Sequence, residues 1–197
     1  FKRYALHVFV AGAVLCAAVF LPGLGITADG ATRWLDLGIT TFQPAELLKV
    51  GYVLLMAKIL SMGPQRGKDL MQGILPFAVL SVVASLLLLL QPDTDTLIII
   101  LSSGVAMLFA TGFRPRDLAI LGVIAVMCGG LLVFMRPYVL ERVQTFIDPS
   151  RDPLGAGYQI NQSLIAVGSG EVWGKGFGQS VQKFTYLPEA STDAIFA

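Results

Sequence analysis

The strongest constraint on this chain is a set of five apolar blocks, each of single-helix length and each bounded by helix-breaking residues. They occupy residues 4–21, 44–60, 71–90, 94–112 and 115–135. Each is close to the ~20 residues that cross a hydrocarbon core ~30 Å thick. Backbone polar groups in lipid must be satisfied within the segment, so helices are the expected form. Pro44 and Pro115 suit first helical positions, where a missing N–H costs nothing. Glu46 and Asp117 then fall in first turns, where the helix dipole favours an acid. Pro22-Gly23, Gln91-Pro92 and Arg136-Pro137 close the first, third and fifth blocks, and Asp93 or Thr94 can cap the fourth. The pattern predicts an all-α polytopic membrane protein, with residues 1–135 as transmembrane helices and 136–197 as a large extracytoplasmic loop leading into a next helix.

Composition agrees. The chain is 55% hydrophobic and 14% charged, against roughly 45–50% and about 25% in soluble domains. A net charge of +1 without a basic cluster gives no reason to expect a nucleic-acid partner. Cys16 and Cys128 lie inside apolar blocks and read as small hydrophobes. The sequence opens and closes on apolar stretches, at Phe1-Lys2-Arg3 and Phe196-Ala197, so an internal fragment with helices missing at both ends is expected.

Basic residues in short loops set orientation. Lys2 and Arg3 precede the first block, Lys58, Arg66 and Lys68 lie around the second connection, and Arg114 and Arg116 lie in the fourth. These alternate connections share the cytoplasmic side, which places the segment after Arg136 outside. In that segment, residues 158–167 put Ile160, Leu164 and Val167 at helical spacing, as in a helix lying in a membrane interface. Gly168, Gly170, Gly174, Gly176 and Gly178 follow. A loop so free of side chains turns tightly and can also bring backbone N–H groups to an anion.

Several polar residues could carry chemistry. Glu46 and Lys49 share a helix face and can pair, as a structural ion pair or as the wall of a polar cavity offering Lys49 to a pyrophosphate. Arg33, beside Trp34, reads as a snorkelling anchor or as a fork for phosphate oxygens. His7 has no second metal-ligating residue near it. Asp93 and Asp95 read as helix caps or as polar groups at a cavity mouth. Lys175, Gln179 and Lys183 surround the loop glycines, as a solvated face or as ligand contacts. Asp193 stands just before Ala194-Ile195-Phe196. It can cap a following helix, or, with its pKa raised by partial burial, deprotonate a sugar hydroxyl as a general base. Glu189, after Pro188, is expected to shape the loop.

The stretches GATRWLDLG (30–38), FQPAELLKV (42–50), QPD (91–93), GAGYQINQSLIAVGSG (155–170), GKGFGQSVQKF (174–184) and LPEASTDAIFA (187–197) resemble the SEDS membrane proteins, the FtsW/RodA family of shape, elongation, division and sporulation. QSLIAVGSG and GQSVQKFTYLPE look more like the FtsW branch. The resemblance implies a ten-helix bundle of which this chain would supply the third to seventh helices and the loop before the eighth. It implies a peptidoglycan glycosyltransferase that polymerises lipid II during cell division or cell-shape maintenance in the bacterial cytoplasmic membrane. Asp193 matches the family's essential acid. Arg33, Glu46, Lys49 and Asp93 match residues of its central cavity, and Lys175, Gln179 and Lys183 match its outer-loop motif. Implied partners are lipid II, undecaprenyl pyrophosphate-linked glycan, a class B penicillin-binding protein and divisome or elongasome proteins. A divalent cation could help to stabilise the leaving pyrophosphate, although no ligand cluster specifies one. Two positions depart from the family pattern: Thr94-Asp95-Thr96 replaces an apolar residue followed by Gly-Thr, and Ala194 replaces a large aromatic. A lipid II flippase and a noncatalytic scaffold for a transpeptidase are the rival functions. The near absence of charge in the third to fifth helices weighs against the flippase.

Overall fold

The structure is a computed structural model describing residues 2–28, 31–36, 38, 40–62, 73–135, 137–151, 155, 157–176, 178–182 and 186–187. It divides into two compact units, Phe1–Gly122 and Val123–Ala197.

In the first unit the five expected blocks appear as helices. These are α1 (Ala5–Ala18), α2 (Pro44–Leu60), α3 (Leu75–Leu90), α4 (Thr94–Ala110) and the start of α5 (Pro115–Met135). The signals at their ends act as read. Pro44 and Pro115 open α2 and α5, Glu46 and Asp117 sit in first turns, and Asp93 is the N-cap of α4. No helix among the described residues is long and apolar enough to cross a membrane. The longest of α1–α4 has 17 residues, about 26 Å at 1.5 Å per residue.

The chain is mostly helical, but the all-α expectation needs correcting. Between α1 and α2 lies a three-stranded antiparallel sheet in the order β1-β2-β3, formed by Gly25–Ala28, Ala31–Asp36 and Thr41–Phe42. Its register pairs Gly25 with Leu35, Ile26 with Trp34, Thr27 with Thr32, Ala28 with Ala31 and Leu35 with Phe42. The physical reason is composition. Ile26, Thr27, Thr32, Trp34, Thr41 and Phe42 are β-branched or aromatic. The sequence between the first two strands is Asp-Gly, a favoured two-residue hairpin connection.

Helix α1 packs along α2, and α4 packs against both α2 and α3. The core is built from Phe9, Leu48, Tyr52, Met56, Leu88, Ile100 and Leu108. Two glycines permit the α1–α2 contact. A Cβ at Gly12 would lie 2.8 Å from the Leu48 Cα, and one at Gly51 would lie 2.6 Å from the Phe9 Cα. Small residues at such crossings let backbones approach closely. Within the core the Tyr52 and Ser81 hydroxyls hydrogen-bond at 2.9 Å, joining α2 to α3. The outward faces of α3 and α4 are themselves apolar: Leu86, Leu90, Ile98 and Phe109 are all more than 60% exposed.

The second unit contains the remainder of α5, then α6 (Pro137–Ile147), a 3₁₀ turn (Pro149–Arg151) and α7 (Tyr158–Gly170). Helix α7 was expected over 158–167 and extends one turn further. The Asn161 side chain donates to the Pro149 carbonyl at 3.2 Å, tying α7 to the 3₁₀ turn. Helix α6 was not anticipated. Pro137 was read only as a stop for α5, although the same residue also suits a helix start.

Candidate functional site

The first unit concentrates its buried polar groups where α3 turns into α4. Gln91 ends the apolar run of α3 and is wholly buried, and Asp93 is only 3% exposed. The Gln91 Nε2 donates to the Cys16 carbonyl at 2.7 Å, pinning the turn to the last helical turn of α1. Its Oε1 is buried without a hydrogen-bond partner among the described residues. Asp93 accepts from the Thr96 N–H at 3.3 Å through Oδ1, the capping bond of α4. Through Oδ2 it accepts from the Gln43 Nε2 at 3.5 Å, at the entry to α2.

Arg33 reaches this turn from β2. Its Nε donates to the Gln91 carbonyl at 3.3 Å, and Nη2 donates to the Pro92 carbonyl. Neither reading from sequence anticipated this, because carbonyls leave no mark in a side-chain pattern. Among the described residues Arg33 has no carboxylate within salt-bridge distance. Two dipoles therefore hold the guanidinium in place without cancelling its charge.

Glu46 and Lys49 form the expected ion pair on α2, at 2.8 Å. The Glu46 side chain is 57% exposed and that of Lys49 is 24% exposed. The pair is therefore half-open, and its Coulomb gain is small, on the order of 0–1 kcal/mol. Gln43 and Asp93 thus meet directly, Arg33 joins the same turn through the Gln91 and Pro92 carbonyls, and Glu46 and Lys49 follow on the helix that Gln43 precedes. Gln43, Gln91 and Cys16 were not foreseen as members. The available signal was a glutamine closing an otherwise apolar helix, since burying an amide costs energy unless it is bonded.

In the second unit, an open cleft of about 390 Å³ lies where α7 ends in the glycine loop. Ser169, Glu171, Trp173, Lys175 and Ser180 contribute its polar and aromatic lining. Gly174, Gly176 and Gly178 have φ of 71°, 99° and 74°, angles at which a side chain would be strained. Lys175 and Gln179 are exposed, and the Gln179 N–H donates to the Gly176 carbonyl at 3.2 Å. Lys183, Glu189 and Asp193 lie outside the described residues. Among the described residues no three His, Cys, Asp or Glu side chains come together to hold a metal ion.

The sequence model of the FtsW/RodA/SpoVE family, described as cell cycle protein, matches residues 1–197. A probable peptidoglycan glycosyltransferase FtsW from Alcanivorax borkumensis is 42% identical over 185 residues, covering 93% of this chain and 48% of the relative. Similarly named proteins from a Geobacter species and from Escherichia coli are 38% and 40% identical. Both alignments cover this whole chain, with 53% and 47% of the relatives. The chain spans about half the length of the curated relatives it matches. Among solved structures it is similar to a chain from work on the structural coordination of polymerization and crosslinking by a peptidoglycan synthase complex. That match has a TM-score of 0.67 and 35% identity, and covers 84% of this chain and 48% of that one. It is also similar to the rod shape determining protein RodA of Thermus thermophilus, with a TM-score of 0.54 and 31% identity, over 64% of this chain and 40% of RodA. The resemblance read from the loop motifs is borne out over the full length, and the chain belongs to the FtsW/RodA/SpoVE family.

Proposed function

We propose that this chain is part of a membrane-embedded peptidoglycan glycosyltransferase that polymerises lipid II. The observation that carries the reading is likeness along the whole chain, helices and outer loop alike, to proteins named for that activity. Asp193 is the general base. Its carboxylate takes the proton from the 4-hydroxyl of an acceptor N-acetylglucosamine as that oxygen attacks the anomeric carbon of the donor. The new C–O bond forms as the bond from that carbon to the phosphate oxygen breaks. The electron pair leaves with undecaprenyl pyrophosphate, and the anomeric centre inverts. Arg33, Lys49, Lys175 and Lys183 are the cations available to the leaving pyrophosphate, a kind of electrostatic help that weighs heavily in catalysis. Arg33 suits this role because its charge is fixed by carbonyls and has no carboxylate partner among the described residues. Glu46 orients Lys49 through their ion pair, and Asp93 and Gln179 are further proposed substrate contacts.

The apolar outward faces of α3 and α4 support a membrane location, since a helix apolar all round needs a lipid or protein surround. The proposed bundle has ten helices, five of them here, with residues 136–197 outside the membrane. A class B transpeptidase is the proposed partner. The solved relative whose subject is polymerization coordinated with crosslinking supports that pairing.

The deciding experiment is a lipid II polymerisation assay on the full-length protein with its transpeptidase partner. Asp193→Asn is expected to abolish glycan products while leaving expression and membrane insertion unchanged. Unchanged polymerisation by that variant removes Asp193 from the mechanism.

A further inference from the structure

We propose that the cleft at the end of α7 is a saccharide subsite, taking an uncharged N-acetylated pyranose against the indole of Trp173. The inference rests on the glycosyltransferase reading and adds to it a place where sugar is recognised, which reassigns Lys175 from the leaving pyrophosphate to the sugar.

The lining points to that ligand class. The cleft offers one acid, Glu171, one base, Lys175, two hydroxyls, Ser169 and Ser180, and one large aromatic, Trp173. A polyanion meets repulsion from Glu171 as well as attraction from Lys175. A purely apolar ligand would strip water from both charges without replacing their hydrogen bonds. A pyranose fits better, because its hydroxyls and amide satisfy charged and hydroxylic groups while its axial C–H face lies on an aromatic ring. The Ser169 hydroxyl already donates to the Ala166 carbonyl at 2.9 Å, so its oxygen remains an acceptor for a ligand hydroxyl. At about 390 Å³ the cleft sits at the small end of ligand sites, which run roughly 300–1,000 Å³. Its open side suits one segment of a longer glycan.

Two further features mark the place as more than a turn. Among the described residues Trp173 is 95% exposed, and an aromatic ring of that area with an apolar face and a polar N–H is suited to stacking on a ligand. Glu171 ends α7 with φ of 53° and ψ of −142°, a conformation that is strained for a non-glycine residue. Glycine would relieve that strain, and this loop uses glycine at Gly174, Gly176 and Gly178, yet position 171 carries a carboxylate on the cleft wall.

Saturation-transfer-difference NMR of the full-length protein in detergent micelles, with diacetylchitobiose as the probe, tests the assignment. Transfer to the pyranose ring protons is expected. Trp173→Phe should retain it in weakened form, and Trp173→Ala should weaken binding by about tenfold, as for loss of one ring-stacking contact. Two parallel arms use inorganic pyrophosphate and phospholipid vesicles. Wild-type affinity for the disaccharide in Trp173→Ala overturns the proposal. So does pyrophosphate binding that is lost in Lys175→Ala without any disaccharide binding, which makes the cleft an anion site. A Trp173→Ala variant that loses only vesicle association makes Trp173 a membrane anchor and also overturns it. Failure of the base assignment reads as unchanged polymerisation by Asp193→Asn, and failure of the subsite as unchanged disaccharide affinity in Trp173→Ala, so the two give different results.

Discussion

At the scale of single residues, Asp93 illustrates a polar group whose position follows from backbone chemistry. Helix α4 begins with unpaired N–H groups, and an acid directly after a proline is well placed to accept from one. The sequence therefore showed Asp93 as a candidate cap, but not its second bond to Gln43, which depends on how α2 enters the bundle. Asp93→Ala is expected to destabilise the protein by about 1–2 kcal/mol, seen as a lower thermal midpoint in detergent. Asp93→Asn keeps an oxygen for the Thr96 N–H and should lose less. Arg33 was harder to read, since its partners are the main-chain carbonyls of Gln91 and Pro92. Arg33→Lys keeps the charge and loses the fork across both carbonyls. Hydrogen bonds to charged groups contribute roughly 1.5–3 kcal/mol each, so the midpoint should fall even though the net charge does not change. An Arg33→Lys protein as stable as the parent would show that the fork is incidental.

At the scale of elements, the helices were legible because proline and glycine mark their ends and apolar runs fill them. The sheet and α6 were missed for different reasons. The strands are only two to six residues long, too short to show alternation, and Pro137 was allowed only one of its two meanings. Packing between elements was also hidden, because a glycine inside a helix does not announce what lies against it. Gly12 and Gly51 face backbone across the α1–α2 contact, so a methyl group at either must push the helices apart. Gly51→Ala and Gly12→Ala are each expected to cost about 1–3 kcal/mol, as overpacking does. Gly122 provides the control, since nothing among the described residues lies within 4 Å of a Cβ there. Gly122→Ala should be neutral or stabilising by up to ~1 kcal/mol, the helix-propensity difference. Thermal unfolding of the three variants side by side separates a crowding effect from a general intolerance of alanine.

At the scale of the whole molecule, the proposed function depends on which side of the membrane each segment occupies, and the argument for that comes from charge. Lys2, Arg3, Lys58, Arg66, Lys68, Arg114 and Arg116 fall in alternate connections, and basic residues in short connections stay on the cytoplasmic side. In the proposed orientation residues 136–197 lie where a lipid-linked sugar is exposed to the cell exterior. Two exposed positions test it. Val172 is 89% exposed beside the cleft, and Met62 is 59% exposed after α2. In a full-length protein stripped of other cysteines, with Cys16→Ala and Cys128→Ser included, Val172→Cys should react with a membrane-impermeant maleimide in intact spheroplasts. Met62→Cys should react only after permeabilisation. Cys16 is buried and Cys128 exposed, so Cys16→Ala is the riskier of the two background changes and Cys128→Ser the safer. The reverse labelling pattern would invert the orientation and put the cleft and Asp193 on the cytoplasmic side. A base there could not serve polymerisation outside the membrane, and the transport reading would become the stronger one.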